Sequence, residues 1–81
     1  MKSVTVKLGQ VIELKSDYLT PARQYVGQIF KLTRVVIGER AIFERVNTKD
    51  FLSTSKVKKI EIVEELISIA TENTIYHFDV L

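Results

Sequence analysis

Apolar and polar residues alternate in three runs between residues 57 and 80, and two short polar segments separate these runs. If two-residue loops form at 64–65 and 72–73, the central run pairs with both neighbours and Ile67 faces an apolar residue on each of them. Asn73 tolerates the left-handed backbone conformation that tight hairpin turns require. A helix over the first half of this segment would leave several apolar residues off its apolar face, and the many β-branched residues also favour strands. Because side chains alternate across a strand, one face of the resulting three-stranded meander carries Ile60, Ile62, Ile67, Ile69, Tyr76, Phe78 and Val80.

The N-terminal segment also alternates. Residues 4–14 are mainly apolar at even positions and polar at odd positions, which predicts a long, half-buried strand with a bend or bulge at Gly9. Thr20-Pro21 suits the N-cap and first position of a helix, and we expect one short helical turn near residues 20–25. The apolar spacing over residues 21–33 also permits a longer helix, which its glycine and β-branched residues oppose.

The middle of the chain predicts a hairpin. Residues 25–37 and 40–46 form its strands, and Gly38-Glu39 suits a type II′ turn that would align Val36 with Ala41. Both faces of this hairpin are apolar, so that one face has no cover within a small chain. Either the strands curl into a closed barrel in which a bulge switches faces, or the hairpin packs against a partner. The second alternative predicts a protein interface formed by Ile29, Val35, Ile37, Ile42 and Val46.

These elements predict an all-β fold in a single domain over residues 1–81. Five to six strands with short turns are typical of a small SH3-like barrel or of a strongly twisted antiparallel meander. The sequence is too short for two hydrophobic cores.

Composition narrows the functions. No apolar run is long enough to cross a membrane, and the first residues lack the apolar core of a signal peptide, so we expect a cytoplasmic protein. The absence of cysteine excludes disulfides and thiolate chemistry, and a small domain without them often oligomerises. The formal net charge is +2, yet all 12 Lys and Arg residues precede residue 60. This segregation would create one basic region if it persists in space.

Candidate catalytic groups are few. The predicted registers place Glu61, Ser68 and His77 in one row on the outer face of the meander, with Asp79 nearby. Nucleophilic catalysis needs a strained turn, oxyanion donors and a cleft, none of which an open strand surface provides. The single histidine has no cysteine to join it as a metal ligand. We therefore expect a protein that is not an enzyme and that uses no cofactor, metal or small-molecule substrate.

A hydroxyl-rich segment, Ser53-Thr54-Ser55, lies beside basic residues and approaches the 71–74 turn in the predicted register. Its hydroxyls could contact phosphate, but Ser and Thr more often bond backbone groups, which is the interpretation we prefer. An alternative function is nucleic-acid binding, with Tyr18 and Tyr25 as aromatic contacts. The basic residues of this alternative are Lys56, Lys58, Lys59, Arg34, Arg40 and Arg45.

The patterns Thr54-Ser55-x-Val57-x-x-Ile60 and Thr71-x-Asn73-Thr74-x-Tyr76 resemble the C-terminal half of small uncharacterised proteins of phages, plasmids and integrative elements of Gram-positive bacteria. The resemblance implies a compact β domain of accessory function, such as inhibition of a host defence system by an anti-CRISPR protein. Together with the surplus apolar face, it predicts a non-enzymatic binding module that acts by protein contact. Its partner would be a second copy, as a homodimer, or a host protein.

Overall fold

A computed structural model describes residues 3–14 and 21–81 of the chain. Within these residues, six antiparallel strands and one short 3-10 helix follow one another with short connections. The strands are β1 (Val4–Glu13), β2 (Ile29–Leu32), β3 (Arg40–Arg45), β4 (Phe51–Val63), β5 (Leu66–Thr71) and β6 (Thr74–Val80), and the 3-10 helix is Pro21–Tyr25.

Each strand pairs with its neighbours in sequence, and β6 returns to pair with β1, so that the sheet closes into a barrel. The protein is thus all-β, with the architecture of a small SH3-like barrel. Closure removes most of the free strand edges that an open sheet would expose. The predicted fold class is confirmed, and of its two forms the barrel is the one that occurs.

The predicted pairing of the C-terminal meander is confirmed. Ile67 lies opposite Ile62 on β4 and opposite Phe78 on β6. The turn before β6 differs from the expectation, because Asn73 is not among the described residues with positive φ. Instead the Thr71 hydroxyl accepts a hydrogen bond from the Thr74 backbone N–H at 3.1 Å and donates one to the Thr74 carbonyl at 2.9 Å. A side chain therefore closes this turn.

The predicted bulge in β1 is also confirmed at Gly9. The pairing of β1 with β6 shifts between Leu8 and Gln10. The shift moves the buried positions from the even residues to Val11, and Ile12 becomes 36% exposed. The expected even-numbered apolar face is correct only before Gly9, because the extra residue of a bulge reverses the sides on which later residues point.

The predicted middle hairpin is wrong in extent and register. Its first strand is β2 alone, and Leu32 pairs with Phe43, two residues away from the expected alignment. Gly38, with φ of 92°, is the third residue of a turn that the Glu39 N–H closes on the Val36 carbonyl. Positive φ at that position fits a type II turn. The expected type II′ turn would have placed the glycine second.

A contact with β4 explains this difference. The Gly38 N–H donates to the Val57 carbonyl at 2.8 Å, and the Val57 N–H donates to the Glu39 carbonyl at 2.9 Å. The turn is thus held by a strand distant in sequence, and residues 33–36 leave the β2–β3 ladder to reach it. The bulge that switches faces lies nearby on β4, where Thr54 and Ser55 together oppose the single residue Ala41 of β3.

Four aromatic rings fill the centre of the barrel. Phe78 packs edge-on against Phe43, with ring centroids 5.0 Å apart, and against Phe30, 6.4 Å apart. Tyr76 packs edge-on against Phe43 at 5.3 Å. The predicted short helical turn is confirmed as the 3-10 helix, which closes one end of the barrel with the fully buried Ala22. The proposed N-cap at Thr20 lies outside the described residues.

Candidate functional site

The end of the barrel opposite the 3-10 helix is open and lined with apolar side chains. A groove of about 270 Å³ lies there, which we call the barrel opening. It forms because β4 continues to Val63, whereas β2 stops at Leu32 and the following residues leave the sheet. The residues that line it are Val4, Leu32, Val35, Ile60, Ile62, Ile67 and Ile69.

Ile62 shows the consequence of this geometry most clearly. It lies opposite the buried Ile67, on the face of β4 that points toward the core, yet it is 67% exposed. Val35 is the residue of the 33–36 loop that packs back against the core, and it covers only part of the groove. An isoleucine on the inner face of a barrel strand is ordinarily buried, so its exposure marks an apolar surface without a cover.

The predicted interface residues do not form one surface. Val35 lies in the barrel opening, and the exposed Ile37 lies on the turn beside β4. Ile42 is half-exposed on the outer face of β3, where it lies opposite Ser53. Ile29 and Val46 are adjacent near the other end of the barrel, joined by a backbone hydrogen bond of 3.1 Å, and both are partly buried. Barrel closure therefore removes much of the surplus apolar face.

Sequence reasoning missed the role of Val4 and Ile62 at the opening. The predicted register placed Ile62 on the apolar face, but a cover for it was assumed rather than identified. No local signal marked it, because the alternating run over residues 57–63 is no longer than the run that forms β6.

One edge of β4 is free next to the barrel opening. On the side facing β3, backbone pairing ends with the two hydrogen bonds of Val57, and residues 58–63 make no further backbone bonds to that side within the described part of the chain. Their other side pairs with β5. Along this edge Lys59 and Glu61 are both exposed and form an ion pair of 3.0 Å.

The six predicted basic residues separate into two regions. Arg40 and Lys56 lie directly opposite each other on β3 and β4, and Lys58 is exposed close by. Within residues 3–14 and 21–81, none of these three forms an ion pair. Arg34, by contrast, pairs with Glu39 at 3.5 Å. Lys59 is engaged with its acidic neighbour on β4.

Arg45 lies elsewhere. Its guanidinium pairs with Asp50 at 3.3 Å and stands 5.0 Å above the ring of Tyr25, which itself packs edge-on against Phe30. Tyr25 is thus a support for Arg45 and the core, and its ring is not a free stacking surface. The other proposed aromatic contact, Tyr18, lies outside the described residues.

The polar row predicted on the outer face of the meander is present. Ser68 lies opposite both Glu61 and His77. These residues lie within strands rather than on a strained turn, and no group of three or more His, Asp or Glu side chains in the described residues is arranged to hold a metal ion. The row contains the residue types of a catalytic triad without the surroundings that activate one.

The hydroxyl-rich segment bonds backbone groups, as preferred. Thr54 is buried within β4, where its hydroxyl accepts the Ala41 N–H at 3.0 Å and donates to the Ser55 carbonyl at 2.6 Å. Thr54 belongs to the β4 bulge that lies opposite Ala41, so its side chain replaces a missing ladder bond. The chain at the end of this segment does approach the 71–74 turn, since the carbonyl of Lys56 accepts the Glu72 N–H at 3.1 Å.

The fold and the site together define a small SH3-like barrel with an apolar opening beside a free strand edge. Comparisons with protein-family models, curated proteins and solved structures give no match to this chain. Among the described residues, no helix has the length and apolar character needed to cross a membrane. A functional proposal therefore depends on the surface of the barrel.

Proposed function

We propose that the protein is a non-enzymatic binding module that docks another protein chain at the barrel opening. The observation that carries this proposal is the exposure of Ile62, an inward-facing residue on a core strand. Apolar surface exposed in a contiguous patch with a charged rim is typical of protein-binding sites. Here Glu61 precedes Ile62 on β4, and Glu64 and Glu65 form the turn after β4; all three are exposed.

The dimensions of the opening favour side chains of a partner over an enclosed small ligand. Its volume of about 270 Å³ is below the range of roughly 300–1,000 Å³ that is typical of small-molecule pockets. Aliphatic side chains line it almost entirely, which leaves few polar groups to orient a substrate. A partner that inserts one or two apolar side chains would bury Ile62 and contribute about 1–2 kcal/mol through that residue.

A matched pair of substitutions tests the location of the site. Ile62→Asp places a charge in the barrel opening, whereas Ile42→Asp places the same charge on the outer face of β3, where the isoleucine is also exposed. We expect a tagged protein purified from its host to lose its stoichiometric partner, whether another protein or a second copy, with the first variant and to keep it with the second. Circular dichroism should show both variants folded.

The opposite pattern would contradict the proposal. If Ile42→Asp releases the partner and Ile62→Asp does not, the binding surface is the outer face of β3. A host protein, such as a component of a defence system, is the alternative partner that we propose, on the expectation that the patterns at residues 54–60 and 71–76 resemble those of mobile-element proteins. Binding should persist at high salt, because apolar contacts are not screened as charges are.

Nucleic-acid binding is a second candidate, favoured by the basic cluster of Arg40, Lys56 and Lys58, which form no ion pair with any residue that the structure describes. We expect the triple alanine variant of this cluster to weaken binding to single-stranded or duplex oligonucleotides and to reduce its salt dependence by about one slope unit per lost phosphate contact. Lys49→Ala, in the loop before β4, is the control. Unchanged binding and an unchanged salt slope in the triple variant would exclude this surface.

A further inference from the structure

We infer that the barrel opening is occupied by a second copy of the chain, joined edge to edge along β4 in an antiparallel dimer. This inference rests on the proposed function, since it names the partner of the same surface. Four features of β4 support it: a free backbone edge, a self-complementary charge pattern, exposed apolar residues and a neighbouring turn.

The free edge supplies the backbone contacts. Residues 58–63 of β4 have a row of N–H and C=O groups toward the β3 side without backbone partners among the described residues. Such an edge accepts another strand by main-chain hydrogen bonding. A strand added there would run along the barrel opening, because Ile60 and Ile62 belong to both features.

The charges along this edge select one register. In an antiparallel pair centred on Ile60, Lys59 of each copy lies opposite Glu61 of the other, which gives two cross-strand ion pairs. Centring the pair on Glu61 or on Lys59 would place like charges opposite each other. Centring it between two residues would mix the two faces of the sheet. Centring on Ile60 keeps the faces separate and places Ile62 opposite Lys58 of the other copy, whose aliphatic stem can pack on it.

The ion pair seen within the monomer is available for this exchange. Lys59 and Glu61 contact each other at 3.0 Å while their side chains remain 68% and 55% exposed. Lys59 of one copy can turn to Glu61 of the other copy, and Glu61 to Lys59, without leaving a buried charge unpaired. The exchange replaces a contact between alternate residues of one strand by a contact between directly opposed residues of two strands.

The same register accounts for two exposed apolar residues outside the opening. Because Gly38 bonds to Val57, the turn that carries Ile37 occupies the position next to Val57 on the β3 side. Centring on Ile60 brings Val63 of one copy toward Val57 of the other, and hence toward its turn. Val63 and Ile37 are 62% and 61% exposed, and the dimer would bring them together.

Charge reversal of the full chain tests the register. Lys59→Glu alone and Glu61→Lys alone each place like charges in both cross-strand pairs, and we expect the dimer dissociation constant to rise about tenfold or more. The double exchange, Lys59→Glu with Glu61→Lys, restores both pairs and should restore the dimer. Sedimentation over a wide concentration range measures each constant, and thermal unfolding verifies that each variant is folded.

Mixing the two single variants gives a sharper result. A Lys59→Glu copy and a Glu61→Lys copy have complementary charges at both positions, so the mixture should form a heterodimer more tightly than either variant forms a homodimer. Native mass spectrometry distinguishes the three species when one variant carries an isotope label. Equal amounts of homodimers and no preference for the heterodimer would overturn the register.

The outcomes separate this inference from the proposed function. A protein that remains monomeric but binds a host protein through Ile62 would overturn the inference and leave the proposed function standing. A dimer that Ile62→Asp dissociates and charge reversal does not affect would overturn the β4 register alone. A dimer that is insensitive to both changes would overturn the inference and place self-association away from the barrel opening.

Discussion

The hydroxyl group of Thr54 provides the most direct test of how the barrel bends. Thr54 is 5% exposed and lies in the β4 bulge, and its hydroxyl accepts the N–H of Ala41, which is fully buried on β3 opposite the bulge. Thr54→Val has nearly the same shape and removes this acceptor. An unsatisfied buried N–H costs about 1–3 kcal/mol, and the buried methyl group that replaces the hydroxyl returns somewhat less than about 1 kcal/mol.

The expected net loss is about 1–2 kcal/mol in the free energy of unfolding. For a domain of this size, that loss lowers the melting temperature by roughly 10 °C. Urea unfolding monitored by circular dichroism measures it as a lower midpoint with an unchanged slope, since the surface exposed on unfolding does not change. Thr54→Ser is the matched control, because it keeps the hydroxyl and loses only a methyl group.

An account based on apolar burial alone predicts the reverse order. It expects Thr54→Val to be at least as stable as the natural protein, and Thr54→Ser to be the weaker variant. If that order is found, the hydrogen bond to Ala41 does not support the bulge, and packing of β3 on β4 must hold the bend instead.

Two further predictions concern stability. Phe78→Ala removes the ring that packs against Phe30 and Phe43, and it should lower the free energy of unfolding by about 3–5 kcal/mol, enough to leave the domain largely unfolded at 37 °C. Phe51→Ala, at a 62% exposed position, should lower it by less than about 1 kcal/mol. Thermal unfolding compares the two variants, and equal losses of stability would contradict the placement of the core. Glu64 has φ of 54° in the β4–β5 turn, so Glu64→Gly should raise the free energy of unfolding by up to about 1 kcal/mol. The neighbouring Glu65 has no positive φ, so Glu65→Gly should not raise the melting temperature.

Local sequence patterns were sufficient to predict the strand pairing of the C-terminal meander, where short turns join neighbouring strands. The β4–β5–β6 registers follow from two short polar segments between alternating runs, because a two-residue loop leaves one pairing that keeps the apolar residues on the same face. The bulge at Gly9 and the helical turn at Pro21 also follow from local residue preferences.

The middle hairpin required information that its own residues do not contain. Gly38 was assigned to a two-residue loop, but its N–H bonds to Val57, nineteen residues later, and this contact pulls residues 33–36 out of the ladder. Glycine is compatible with both turn types, so its presence does not select between them. Long-range pairing therefore decided between them.

The sequence by itself determined the strands and the faces of the C-terminal meander, because these depend on alternation and on turns, and it determined the separation of basic from acidic residues along the chain. It placed Ile62 on the apolar face and Lys59 and Glu61 on the other. Only the tertiary structure decided that β2 stops at Leu32 while β4 continues, so that, among residues 3–14 and 21–81, nothing covers Ile62 fully and no strand pairs with the end of β4 on its β3 side. Barrel closure sets which strands reach which end, and no local pattern encodes that relation between distant segments.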